Sequence, residues 1–320
     1  MNDPSATPVD VNEQRNWLID HRVATGASWA ELAKRIGIPQ GTLSQFGSER
    51  GYAGDEQRVA EKIYRHRQML TAQAQIAVEA PEVPGYFDTE TSLQLVGLLK
   101  WGQRGRIVVA AMGPGTGKTS TARHFAACFS NVFLATMRPS TAGVNNMQIE
   151  VMAALGEKDA VGTPQKLTAR LLERVRDLSN PLIIIDEAQH LSEKAIEEIR
   201  SWHDASRVGI ALLGNIGVMQ RLEGGSRKAA FAQLYSRIGM RMVRQVPLQA
   251  DADALAAAWN IHGDRELAQV RKVALLPGGL RGATMMIELG SMIAASEKTV
   301  LAVDHLQDAW AQLSSRAVLQ

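Results

Sequence analysis

The chain has 320 residues, 45% hydrophobic and 21% charged, which excludes wholesale disorder, collagen-like repeats and a coiled-coil rod. That length suits about two domains and a sizeable core without disulfides. With 35 Lys plus Arg against 33 Asp plus Glu the net charge is +2, so any nucleic-acid surface must come from local clustering. The single cysteine, Cys128, excludes an internal disulfide and a cysteine-based zinc cluster, and it is expected in a helix amid apolar neighbours.

Residues 1–13 hold two prolines and no apolar periodicity, and they read as a loose tail. No basic flank and apolar run marks a signal peptide. Apolar stretches such as Ile107–Met112 fall far short of the roughly 20 residues that span a bilayer, so a cytoplasmic location is expected. Residues 14–70 are helical in pattern, with breaks at Thr25-Gly26, Gly37-Ile38-Pro39 and Gly47–Gly54. Residues 71–88, with Pro81, Pro84 and Gly85, read as a linker. An amphipathic helix over 89–103 then opens a strand–helix alternation that lasts to residue 249. Strands are expected at Arg106–Ala111, Val132–Thr136, Leu182–Asp186, Val208–Leu213 and Met240–Val246. The first, third and fourth are continuous apolar runs, as a sheet covered on both faces requires. The expected core is therefore α/β, a doubly wound parallel sheet of five strands. Residues 250–320 show helical periodicity alone, broken at Pro277-Gly278-Gly279, and predict a small helical bundle.

Within the first segment, Ser28 and Glu31 have the spacing of a capping box, Ala33 allows close helix approach and Gly37 permits a tight turn. Ile38, Leu43 and Phe46 are expected to pack inward. This run resembles a repressor-type helix-turn-helix, which would turn Gln40, Thr42, Ser44 and Gln45 toward a DNA major groove. Lys34, Arg35 and Arg50 are candidate phosphate contacts. The alternative is a helical module for protein contacts.

Met112-Gly113-Pro114-Gly115-Thr116-Gly117-Lys118-Thr119 follows a strand and opens a helix, the context that a phosphate-binding loop needs. Glycines let backbone N–H groups approach phosphate oxygens, and the helix N-terminus adds partial positive charge. Gly113 through Thr119, with Ser120, are thus the expected ATP cradle. Lys118 would reach the β/γ-phosphates and the Thr119 hydroxyl would hold Mg²⁺. Met112 stands where the usual pattern has its first glycine.

Leu182–Ile185 ends in Asp186-Glu187, two acids at the ligand-binding edge of a parallel sheet. Asp186 would hold Mg²⁺ through water, and Glu187 would act as the base for the attacking water. Asn215, just past the fourth strand, could orient that water. Arg237, before the fifth, could reach a neighbouring subunit's γ-phosphate. Arg281, after Gly278-Gly279, could fold back onto the nucleotide.

Ser201–Pro247 carries seven basic and two acidic residues, a net +5, whereas residues 251–320 carry six basic and eight acidic, a net −2. Arg227 and Lys228 in the Gly224-Gly225-Ser226 loop, and Arg138 with Thr141 after the second strand, are candidate contacts to the DNA backbone.

In this order, these motifs resemble the AAA+ ATPases. Asp186-Glu187-Ala188-Gln189-His190-Leu191 looks like the transposon-associated ATPases that select target DNA, and the preceding helical module narrows the likeness to the phage Mu B transposition protein family. That resemblance implies an ATP-dependent protein that polymerises on double-stranded DNA with little sequence preference. It implies capture of target DNA for a transposase, stimulation of strand transfer and target immunity, with hydrolysis triggered by the transposase. The helical bundle would then be a lid. Two alternatives stay open: a transcription regulator switched by ATP, and a secretion-associated ATPase of the ExeA type, which is expected to carry a membrane or cell-wall segment.

Overall fold

The apolar runs of the sequence become strands of one parallel sheet. The computed structural model describes residues 9–48, 51–79, 81–219 and 236–314. The chain divides into two compact units at Pro81–Glu82.

In the first unit, α1 (Val11–Thr25), α2 (Trp29–Ile36), α3 (Gln40–Phe46) and α4 (Glu56–Glu79) share a core that includes Leu18, Leu32, Leu43, Phe46, Ala60 and Ile63. The Asp10 carboxylate accepts the N–H groups of Asn12 and Glu13, so α1 starts inside the expected tail. The Ser28–Glu31 capping box forms, and Ile38, Leu43 and Phe46 are buried as expected. The expected linker is helical as far as Glu79. Alanine and glutamine favour helix there, and the first proline comes only at Pro81.

The second unit begins with α5 (Glu90–Gln103), β1 (Ile107–Met112), α6 (Lys118–Cys128) and β2 (Val132–Thr136). It continues with α7 (Val144–Ala154), α8 (Pro164–Arg176), β3 (Leu182–Asp186), α9 (Glu193–Ser206), β4 (Gly209–Gly214) and β5 (Ile238–Arg244). The strands are all parallel, in the order β2-β3-β4-β1-β5. Alternate side chains fill two layers. Ile107, Val109, Ile183 and Ile185 pack in the cluster that holds α7, α8 and α9 residues. Val108, Ala110, Leu182 and Ile184 pack in the one that holds α5 and α6 residues. β2 and β3 fall where the sequence put them, while β1, β4 and β5 shift by one or two residues. Cys128 lies in a helix, but it is exposed at the helix end, its Sγ 3.6 Å from His124 Nε2. The apolar face of α6 is carried by Ala122 and Phe125 instead.

Four helices follow: α10 (Gln249–Ala258), α11 (Asp264–Ala274), α12 (Gly279–Ser296) and α13 (Val303–Ser314). Their core includes Leu255, Val270, Val273, Met286, Ile287 and Leu306. The bundle belongs to the same compact unit as the sheet. One tie is Asp251, fully buried, whose carboxylate accepts the Thr91 hydroxyl and the N–H groups of Thr91 and Leu248, each N–H at 2.8 Å. Among the described residues, no helix is long and apolar enough to cross a membrane.

Candidate nucleotide-binding site

The loop after β1 is shaped by close backbone contacts. Met112 is the last, buried residue of β1, in extended backbone, which explains why no glycine is needed there. Gly113 donates its N–H to the Arg244 carbonyl at 2.8 Å, and a Cβ on it would sit 2.0 Å from the Gln245 carbonyl oxygen. Gly115 has φ +73, and a Cβ on it would sit 1.9 Å from the Gly278 carbonyl oxygen. The Leu280 N–H donates to the Gly115 carbonyl at 2.8 Å. Gly115 is thus required by the bundle's approach, a reason that the sequence did not disclose. Thr116 is buried and its hydroxyl donates to the Gly113 carbonyl, so its side chain braces the loop. Pro114 and Ser120 are exposed on the loop and on the first turn of α6.

At the end of β3 the expected polar residues meet. Asp186 is fully buried, and its Oδ2 accepts the Thr119 hydroxyl at 2.7 Å. Its Oδ1 accepts the Glu187 N–H at 2.9 Å and faces Lys118 Nζ at 3.4 Å. Lys118 also reaches Glu187 Oε1 at 3.0 Å, with its side chain only 10% exposed. Burial alone would raise the Glu187 carboxyl. Hydrogen bonds from Gln189 and Lys118, and the charges of Lys118 and His190, overcome that and hold it below its ordinary value. Two vicinal oxygen ligands, a hydroxyl and a carboxylate, match what a hard cation such as Mg²⁺ takes beside phosphate. The residues therefore fit Mg²⁺–ATP.

Gln189 was assigned no role in the sequence. Its Nε2 donates to Glu187 Oε2, and its Oε1 accepts the Asn215 N–H at 3.2 Å. The Asn215 side chain accepts the Gly217 N–H at 2.8 Å. Asn215 is thus joined to Glu187 through Gln189.

The other candidates lie apart from this cluster. Arg281 is exposed on the first turn of α12, next to the residue that meets Gly115. Arg237 pairs with Asp204 at 2.8 Å, just before β5. In register it lies at the opposite end of the sheet from the phosphate loop, five strand residues or roughly 17 Å away. Arg138 is exposed in the turn after β2. Thr141, expected to touch DNA, is instead buried in that turn, its hydroxyl accepting the Arg138 N–H at 2.8 Å. That closure consumes the group that would have met a phosphate. In the first unit, Gln40 and Gln45 are exposed on α3, and Thr42 and Ser44 are half-buried beside them. Arg50, Arg227 and Lys228 lie outside the described residues.

A phosphate loop after the strand next to the sheet edge, with an Asp-Glu pair two strands away, defines an AAA-type P-loop ATPase core. Residues 103–222 match the family described as "AAA domain", and residues 236–313 match "Mu B transposition protein, C terminal". The chain is 32% identical over 305 residues to the "ATP-dependent target DNA activator B" of Escherichia phage Mu, covering 95% of each chain. It is 31% identical to the "Mu-like prophage FluMu DNA transposition protein B" of Haemophilus influenzae, covering 85% of this chain and 92% of that one. The chain belongs to the phage Mu B transposition protein family. Among solved structures, the Aeropyrum pernix ORC1 protein in complex with DNA is similar in fold, with a TM-score of 0.51 and 18% identity over 74% of this chain and 68% of that one.

Proposed function

We propose that this protein binds double-stranded DNA in an ATP-dependent manner with little sequence preference, and assembles on it as a helical filament or ring. It captures target DNA for a transposase, stimulates strand transfer and contributes to target immunity. The carrying observation is the cluster of Lys118, Thr119, Asp186 and Glu187, in a chain that aligns nearly end to end with an ATP-dependent target DNA activator. Its place of action is the cytoplasm of the bacterial host.

Lys118 pairs with both carboxylates, and the triphosphate competes for it. Gly115–Thr119 offers backbone N–H groups, and Thr119 with Asp186 would hold Mg²⁺, which neutralises developing phosphate charge when bound. Glu187 takes a proton from water, and Asn215 orients that water. Arg237 is too far from its own phosphate loop, which supports a role toward a neighbouring subunit's γ-phosphate. Arg281 senses the nucleotide from the bundle, which acts as a lid. Arg138, Arg227 and Lys228 meet the DNA backbone, and Gln40, Thr42, Ser44 and Gln45 form a second DNA surface.

A strand-transfer reaction with the element's own transposase and an unlinked plasmid tests this. Adding the protein with ATP is expected to raise insertion into that plasmid at least tenfold. Equal insertion with and without ATP contradicts the proposal.

A further inference from the structure

We propose that Gln189 is a positioning residue that ties Glu187 to the end of β4 and keeps it in place when Lys118 leaves it for phosphate. The inference rests on reading Glu187 as the base for ATP hydrolysis.

Among the described residues, two side chains donate to Glu187, Lys118 to Oε1 at 3.0 Å and Gln189 to Oε2. Lys118 is also the cation that a triphosphate draws to itself. Once it moves, the Gln189 amide is the remaining side-chain partner. Glu187 then depends on it more, because its own backbone sits in the left-handed region at φ 57.

The amide orientation is fixed by chemistry. Its Oε1 accepts the Asn215 N–H, so its Nε2 faces the carboxylate. A flipped amide would set oxygen against carboxylate and N–H against N–H. Space for it exists because β4 ends in Gly214, where a Cβ would lie 2.4 Å from Gln189 Oε1. The same amide therefore reads two places at once, the base just past β3 and the Asn215 backbone just past β4. A shift at the end of β4 moves the base, and a shift of the base pulls on Asn215.

Among the described residues, the Gln189 side chain hydrogen-bonds Glu187 and Asn215 and neither the phosphate loop nor Thr119, so its loss should spare ATP binding. Gln189→Ala and the isosteric Gln189→Glu test this in the full chain. In Gln189→Ala, kcat for ATP hydrolysis is expected to fall about 10- to 100-fold with KM within about twofold. Gln189→Glu keeps the shape but sets a carboxylate against Glu187, and should lose at least as much. Without nucleotide, hydrogen exchange of the segment 209–219 should be faster in Gln189→Ala than in the wild type. Added to Glu187→Gln, Gln189→Ala should lower the rate little further. Wild-type kcat in either Gln189 variant, KM rising in step with the loss of kcat, or unchanged exchange overturns the inference. Those results leave the base assignment standing if Glu187→Gln alone is slow. Wild-type turnover in Glu187→Gln brings down the base assignment, and this inference with it.

Discussion

The backbone N–H of Leu280 donates to the carbonyl of Gly115 at 2.8 Å, joining the C-terminal bundle to the middle of the phosphate loop. Gly279 abuts the same carbonyl: a Cβ added there would lie 2.8 Å from it, at a φ of +59. Gly279→Ala should therefore weaken ATP binding at least tenfold, although Gly279 is no part of the phosphate loop. Titration with a fluorescent ATP analogue measures this. Unchanged affinity would mean that bundle and loop are not mechanically joined.

Asp251 ties the bundle to α5 by a second route. Its buried carboxylate accepts three hydrogen bonds from Thr91 and Leu248. Asp251→Ala leaves those donors without their acceptor, and should destabilise the second unit by about 2–4 kcal/mol in denaturant unfolding.

Acid should loosen the first unit. His66 is buried, its Nε2 has no hydrogen-bond partner among the described residues, and its ring meets Trp17 and His21 edge-on. Burial first, then the charges of His21 and Arg35, hold its pKa below the ordinary value. Folding thus favours the neutral ring. The stability so gained is present above about pH 6.5 and is lost as pH falls through the depressed folded value. Protection of α1 amides, taken relative to the intrinsic exchange rate at each pH, should fall between pH 7.5 and 5, and His66→Leu should remove much of that fall.

Arg138→Ala should weaken DNA binding evenly across sequences and flatten the salt slope by about one unit. Thr141→Val, in contrast, should act through the turn: it removes the acceptor of the Arg138 N–H and leaves the exposed guanidinium in place.

Where burial was two-sided, the sequence carried the fold. The apolar run Leu182–Ile185, following a phosphate-loop motif, pointed to an interior strand rather than a helix cap, and it is one. β5 was harder to place, because it is the sheet edge, with Met240 and Val243 about half exposed. The prolines at 81 and 84 end the permissible helix without saying how far α4 runs before them. Gln189 was invisible for a different reason. Its Asn215 contact spans 26 residues and exists only because β3 pairs with β4. Gly115 was read as a phosphate-loop glycine, while the Gly278 carbonyl beside it shows a second constraint that no local pattern encodes.

Arg237 is committed to Asp204 in this structure, so a role toward a neighbour requires that pair to open. Arg237→Ala should lose ATP hydrolysis in the DNA-assembled state and keep the low rate of the unassembled protein. Equal loss in both states, with assembly checked by sedimentation, would argue against action across subunits.

The most direct test of the central claim is a footprint on random-sequence DNA, with the wild type and Lys118→Ala compared with and without ATP. The account predicts extended protection by the wild type with ATP, and little protection without it or by Lys118→Ala at any ATP concentration. Equal protection without nucleotide, or a single protected operator site, would contradict it.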